Sequence, residues 1–423
     1  LLSAKAYLKP LPTQIFSILQ KSYLVISNAA PMNKWLVALL LYMYAPSLLA
    51  QKEFQQRYQL AMIEATPGTV IDLPEGKFFL TNTLSLEGKQ QVTIRGKGKD
   101  KTILSFINQK DGAEGIRVSN CSNITLEGFS VQDAKGDAIK TMHVKGIRFS
   151  KVQTEWTGTP GPQNGGYGLY PVQCDGVMID ECVAIGASDA GIYVGQSKNI
   201  VVKNCIAHHN VAGIEIENSQ QAEVMNNEAY ENAGGLLIFD LPDLVEKKGG
   251  QIKAHHNNIH DNNYPNFAPK GNIVATVPTG TGVLILATKE IELFENTIQR
   301  NQSVSIGIIS YFTTQRPIND SLYDPYPSVI YIHHNLLERN EGKPISKDPL
   351  GIVVGNKFGT NVPHILFDGI KNPKLLDVKG GWLPGNCIRI VDNTNQSIAN
   401  LDVEHFFMNI GRADNAFACD RMP

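Results

Sequence analysis

The chain has 423 residues, a 42% hydrophobic share and a formal net charge of −2, with 38 Lys and Arg against 40 Asp and Glu. That size holds a large core in one long domain or two short ones. The charge balance excludes a nucleic-acid face built on basic excess, and no run of like charges marks an acidic or basic tail.

In chain order, residues 1–31 read as an upstream extension outside the fold. Met32 opens MNKWLVALLLYMYAPSLLAQ, with Lys34, an apolar stretch and a small residue at Ala50. This predicts a signal peptide over 32–50, removed after Ala50, since the apolar run is too short to span a membrane. No Cys follows the cleavage point, so no lipoprotein anchor is expected. Export implies an oxidising compartment for the six cysteines, Cys121, Cys174, Cys182, Cys205, Cys387 and Cys419. None has zinc-type spacing. Cys387 and Cys419 share the C-terminal segment and are a candidate disulfide pair, although sequence alone does not fix connectivity.

FQQRYQLAMIEA, at 54–65, has the apolar period of a short amphipathic helix. It is expected to cap the open end of a stacked core, over 51–66. A repeat then takes over. Gly191, Gly213 and Gly235 open GIYVGQSKNIVV, GIEIENSQQAEV and GLLIFD, each 22 residues after the last. Gly168 lies 23 residues before Gly191, and Asp137 follows Gly115 by 22. Each repeat holds short alternating strands between Gly, Asn and Ser, with no helix-length pattern between them. Parallel strands normally need long crossovers, and here the repeat itself is the crossover. A leucine-rich horseshoe needs an LxxLxLxxN core, which is absent.

The predicted fold class is therefore all-β, a parallel β-helix over 67–345 with an irregular capping segment at 346–423. Two amide columns are expected at its turns. One runs Cys182, Cys205, Asn227, Asn258, Asn296, Asn335, and the other Asn210, Asn232, Asn263, Asn301, Asn340. Insertions near 154–166, 241–253 and 262–281 leave the stack and are expected to border a binding surface.

The entry pattern LAMIEATPGTVIDLPEGKFFL followed by VTIRGKGKDKTIL resembles the start of secreted, pectate-lyase-like right-handed parallel β-helix proteins. The stretch from YGLYPVQ through GIEIENS to DPYP is similar to an uncharacterised group of exported bacterial parallel β-helix repeat proteins. The resemblance implies polysaccharide as the partner class but no particular reaction, because function lives in the site. Polygalacturonase-type hydrolases of this fold use clustered aspartates with Gly-His-Gly; GDAIKT, at 136–141, offers one Asp, and Gly-His-Gly is absent. Alginate C5-epimerases carry Tyr-Gly-Phe-Asp-Pro-His. Here Tyr167-Gly168-Leu169-Tyr170-Pro171-Val172 keeps the frame, with Tyr170 and Val172 where the Asp and His would stand.

Alternation places one outward column at Tyr170, Tyr193, Glu215 and Leu237, and the next at Val172, Gly195, Glu217 and Phe239. Beside them run Gln173, Gln196, Asn218 and Asp240. Glu215, Glu217 and Asp240 are the candidate catalytic acids: two carboxyls at i and i+2 repel, and a shared proton, a ligand or a calcium ion resolves the repulsion. Tyr170, Tyr193, Phe239, Asp189 and Tyr311 are the candidate substrate-binding residues, with Gly195 leaving space beside them. The metal, if any, is not specified. Lys140 and Arg148 are the basic residues a lyase would need, and Asp324 is expected near the far end. The pairs His208-His209, His255-His256 and His333-His334 are read as structural, since neighbours on a strand point to opposite faces. The functional expectation is an exported polysaccharide-binding protein; whether it is an enzyme is left open, with lyase, hydrolase or epimerase the chemistry if it is one. The alternative is a non-catalytic envelope or adhesion scaffold.

Overall fold

The computed structural model describes residues 52–340, 342–345, 349–414, 417 and 419. The proposed upstream extension and signal peptide lie outside the described residues. Helix α1 is described over residues 52–64. Phe54, Tyr58 and Met62 recur every fourth residue, so they share one face and are buried on the first coil. The Phe54 ring stacks on Phe78 at 3.8 Å. Gln55 and Gln59 do what the apolar pattern did not reveal. The Gln59 amide donates to Ser85 O at 2.9 Å and accepts from Ser85 N at 2.9 Å, and Gln55 accepts from Thr81 N at 2.9 Å. Two side-chain amides thus satisfy the edge of Asn82–Glu87, the first strand of its sheet, which would otherwise invite pairing with another chain.

Among the described residues, the strands assemble into three sheets of 11, 10 and 12 strands. Each full coil contributes one strand to each, as in Asp175–Asp180, Val183–Ile185 and Ala190–Gly195. Neighbouring coils pair in parallel and in register. Ile192, Ile214, Leu236, Val283 and Ile306 form one inward column of the third sheet. Such columns make one continuous core, and each fully buried aliphatic side chain contributes about 1.5–3 kcal/mol.

The turn ladders form, with a one-residue correction. The first runs Asn227, Asn257, Asn296, Asn335 and Asn393: each Nδ2 donates to the next Oδ1 at 2.9–3.0 Å, and that Oδ1 also accepts the preceding coil's backbone N–H. The second runs Asn210, Asn232, Asn262 and Asn301. Asn257 and Asn262 replace the expected Asn258 and Asn263, because a one-residue shift in extended chain turns the side chain to the other face. Asn340 leaves its column and donates to Arg300 O. Cys182 and Cys205 continue the first ladder as buried thiols.

The stack does not stop at 345. Ile365–Phe367 and Ile398–Asn400 join the third sheet and Ile388–Val391 joins the first, so the segment expected to be irregular adds strands. Helix α2, Pro349–Phe358, packs Val354 in a separate cluster with Leu366 and Leu401. Cys387 and Cys419 form a disulfide with Cα atoms 6.6 Å apart.

Candidate functional site

The third sheet carries the predicted outward columns in the expected register: Tyr193 pairs with Glu215 and Glu215 with Leu237, while Gly195 pairs with Glu217 and Glu217 with Phe239. The side chains point outward, but not into solvent. Ala190–Gly195, Ala212–Glu217, Gly234–Phe239 and Thr281–Leu286 are buried at every residue. Segments 241–249, 262–280 and 310–327 fold back over this face. They bring Val274, Val277, Tyr311 and Tyr323 onto Tyr193, Leu237, Phe239, Leu284 and Leu286 as a second hydrophobic layer. Tyr193, Phe239 and Tyr311, expected on a groove surface, therefore lie inside.

The column beside the acids anchors this cover. Gln196 Oε1 accepts Val245 N at 3.0 Å. Asn218 Nδ2 donates to Leu241 O and Glu246 O, both at 2.9 Å. Asp240 accepts Gly249 N with both oxygens, at 2.8 and 3.0 Å, and its own carbonyl accepts the Tyr323 hydroxyl at 2.6 Å. Asp240 thus pins the loops and does not converge with the glutamates. Lys247 with Asp320 ties two of the segments together, and Lys289 of the first sheet with Asp324 ties the last of them to the stack, which accounts for Asp324. Arg316 Nη2 holds the carbonyls of Gly271 and Asn272 at 2.9 Å.

Beneath the cover, Glu215 is 1% and Glu217 7% exposed. Glu217 accepts the Tyr193 hydroxyl at 2.6 Å. The space at Gly195 is filled by that tyrosine: a Cβ there would stand 2.2 Å from its hydroxyl oxygen. Burial pushes both carboxyl pKa values up, Glu217 to about 7 and Glu215 well above its ordinary value. Asp189 and Glu217 add to burial in raising Glu215, and Glu215 Oε2 is buried without a partner. Protonation therefore removes the like-charge repulsion, with both carboxyls raised. Among the described residues no three His, Cys, Asp or Glu side chains converge as metal ligands would.

The cover ends toward the N-terminal coils, and there the outward column opens. It continues from Tyr170 to Lys140 and Arg117. Tyr167, Tyr170, Asp137 and Lys140 are half-buried and Arg117 is exposed. Tyr167 lies 4.4 Å from Tyr170 and 4.6 Å from Tyr193, ring centre to ring centre. Lys140 Nζ sits 4.6 Å over the Tyr170 ring and 3.8 Å from Asp137 Oδ2. Burial raises Asp137 to about 6, against the opposing pull of Lys140. Asp189 is raised to about 7 by burial, while Asn272 (Nδ2 at 2.9 Å from Oδ2) and the Tyr167 phenol hold it down. Burial pushes the Tyr167 phenol well up, so it is a neutral donor.

Sequence reading selected Tyr170 and Asp189 and named Lys140 as a lyase candidate, and the fold brings all three together. It passed over Tyr167, Asp137 and Asn272. Tyr167 stood in the quoted Tyr-Gly frame and Asp137 in GDAIKT, so both carried a signal. Asn272 comes from an insertion 83 residues from its partner and carried none. Arg148 lies on the first sheet and pairs with Asp180, away from this site. The histidine pairs depart from expectation too. His209, His256 and His334 have φ of 53–58°, which turns each ring toward its neighbour, with Nδ1 atoms 2.8 Å apart.

Coils of three short parallel strands, a capping helix and in-register turn ladders define a right-handed parallel β-helix protein. Residues 156–320 match the family model described as the right handed beta helix region. The chain is similar to the A-module of the Azotobacter vinelandii mannuronan C-5 epimerase AlgE4, with 16% identity, a TM-score of 0.51, and coverage of 83% of this chain and 91% of that one. The AlgE6 A-module from the same organism gives 15% identity, the same TM-score and coverage of 81% and 91%. At this identity the likeness shows the fold. A pre-neck appendage protein of Bacillus phage B103 is 23% identical over 246 residues, which cover 50% of this chain. The match spans only 28% of the length of that curated relative.

Proposed function

We propose that this protein binds an acidic polysaccharide on the open part of the third sheet's outward face, at Arg117, Lys140, Tyr167 and Tyr170, and transfers protons there. The observation that carries the reading is the change along one column from sealed to open between Tyr193 and Tyr170. At that boundary a cation, two phenols and two acids of raised pKa meet. An aromatic ring stacks on a sugar face, and Lys140 and Arg117 match uronate carboxylates. Lyase and epimerase chemistry begins by removing a proton next to such a carboxylate, which needs a neutralising cation and an acid–base group that titrates near neutrality. Lys140 supplies the first and Asp137 the second, with Tyr167 as a neutral proton donor. The epimerase modules that share the fold support this direction. Glu215 and Glu217 then serve to fix Tyr193 beneath the site, and hydrolysis by that pair is disfavoured because the cover excludes substrate from it.

The second reading is a non-catalytic appendage or envelope scaffold, favoured by the sealed half of the face and by the phage appendage relative. Both readings place the chain outside the cytoplasm, in keeping with the Cys387–Cys419 disulfide.

The test is to mix the purified protein with polymannuronate, polygalacturonate and a neutral glucan, and to read binding, unsaturated ends and C5 configuration. Lys140→Ala and Tyr170→Ala should each weaken uronate binding by about tenfold, the loss expected for one charge-assisted or stacking contact. Asp137→Asn should abolish turnover and spare binding. Binding without turnover selects the scaffold. Uronate binding untouched by both Lys140→Ala and Tyr170→Ala rejects the site.

A further inference from the structure

An open polar depression lies toward the C-terminal end of the stack, between the last strand of the second sheet and the segment that leads into Ile365–Phe367 of the third. It measures 420 Å³ and is lined by Glu338, Arg339 and Asn340 after the last strand of the second sheet, by Asn361 and His364 beyond α2, and by Asn395. Arg339 is half-buried there. Its Nη1 and Nη2 donate to the carbonyls of Val362 and Gln302, and its Nε has no partner. Arg412 is exposed and reaches the lining through Asn361, with Nη2 donating to Asn361 O and Oδ1 at 3.1 Å and the guanidinium over the Phe358 ring. Among the described residues neither arginine forms an ion pair with a carboxylate. Glu338 is the nearby acid, exposed at the rim and acting on Arg300.

A half-buried guanidinium bonded only to neutral carbonyls carries an uncompensated charge, and removing it from water is costly. Burial alone pulls the Arg339 pKa down. The His364 imidazole, 3.0 Å from Ser397 Oγ, is held toward its neutral form by burial and then by Arg339 and Arg412. Arg339 and the nearby Arg412 thus bring two cations toward this space, against the one carboxylate of Glu338. The amides of Asn340, Asn361 and Asn395 add polar groups around a space large enough for a monosaccharide-sized ligand.

We infer that this cavity is an oxyanion site. It takes a sulfate or carboxylate group between Arg339 and Arg412, either as a free ion or on an acidic sugar. It is separate from the proposed polysaccharide face, and neither assignment depends on the other.

Sodium sulfate, sodium glucuronate and glucose are titrated into the full chain by calorimetry and thermal shift, against sodium chloride of equal ionic strength. Saturating sulfate or glucuronate should raise Tm by about 2–4 °C, the size expected of a ligand that binds only the folded state. Glucose should have no effect. Arg339→Gln and Arg412→Ser should each lower anion affinity at least tenfold, while exposed Lys151→Ala leaves it unchanged. A response to both anions marks a general oxyanion site, and a response to glucuronate alone marks an acidic-sugar site. Arg412 is at the surface, so its variant decides the matter if Arg339→Gln fails to fold. The inference is overturned if neither anion gives a shift, or if the shift persists in Arg412→Ser.

Discussion

Four acids on the third sheet, Asp189, Glu215, Glu217 and Asp240, hold protons in the folded chain that the unfolded chain releases near pH 4. Burial is the leading cause in each, raising Asp189, Glu217 and Asp240 to about 7 and Glu215 well beyond its ordinary value. Unfolded carboxyls titrate at about 3.9 for Asp and 4.3 for Glu. Between those values and pH 7 the folded state binds more protons, so stability falls as pH rises. Their contribution is fully present below about pH 4 and is lost as pH passes through the folded values. The carboxylates with lowered pKa, such as Asp72 and Glu292, oppose this only at the acid end. Denaturant titrations should therefore find the protein more stable at pH 5.5 than at pH 8. Glu217→Gln should flatten this slope by about one proton's worth and stabilise the fold at pH 8. An unchanged slope would show that Glu217 is ionised in the folded state.

Among the elements, the asparagine ladder is what makes 22-residue coils repeat without helices between them. Asn296 is enclosed and fully engaged: Asn257 N and Nδ2 donate to its Oδ1, its N and Nδ2 donate to Asn335 Oδ1, and its Nδ2 also donates to Ala254 O and Phe294 O. Asn296→Ala leaves several of those partners buried and unpaired, at about 1–3 kcal/mol each before relaxation. The expected loss in unfolding free energy is about 2–4 kcal/mol, against no more than about 0.5 kcal/mol for exposed Lys145→Ala. The ladder was legible as a recurrence, but Asn257-Asn258 and Asn262-Asn263 are doublets, and only the turn geometry picks the inward member. Cap helix α1 was legible by its apolar period. The strand-like role of Gln55 and Gln59 was not, because it depends on an edge 26 residues away.

For the whole molecule, the C-terminal segment is held by strands added to two sheets and by the Cys387–Cys419 disulfide. The bridge closes a 32-residue separation, for which chain entropy predicts about 3–4 kcal/mol. Cys387→Ser should lower the stability of the segment after about residue 386 by that amount, seen as faster amide exchange there. Exchange in 170–240 should not change. Equal loss in both regions would mean that the stack unfolds as one unit.

The sequence by itself determined the period, the inward and outward columns, the capping helix and the register that sets Tyr193 beside Glu215. These depend on spacing along the chain, and a stacked repeat converts spacing directly into position. Only the tertiary structure decided which outward residues meet solvent. Gly234–Phe239 and Thr281–Leu286 carried a hint, since GGLLIF and TGVLIL are apolar on both faces, the pattern of a strand covered twice. Which segment covers them, and where the cover stops short of Tyr170 and Lys140, depends on long-range contacts such as Asn272 with Asp189 and Lys289 with Asp324. Those contacts join residues 83 and 35 positions apart, beyond the reach of any local pattern.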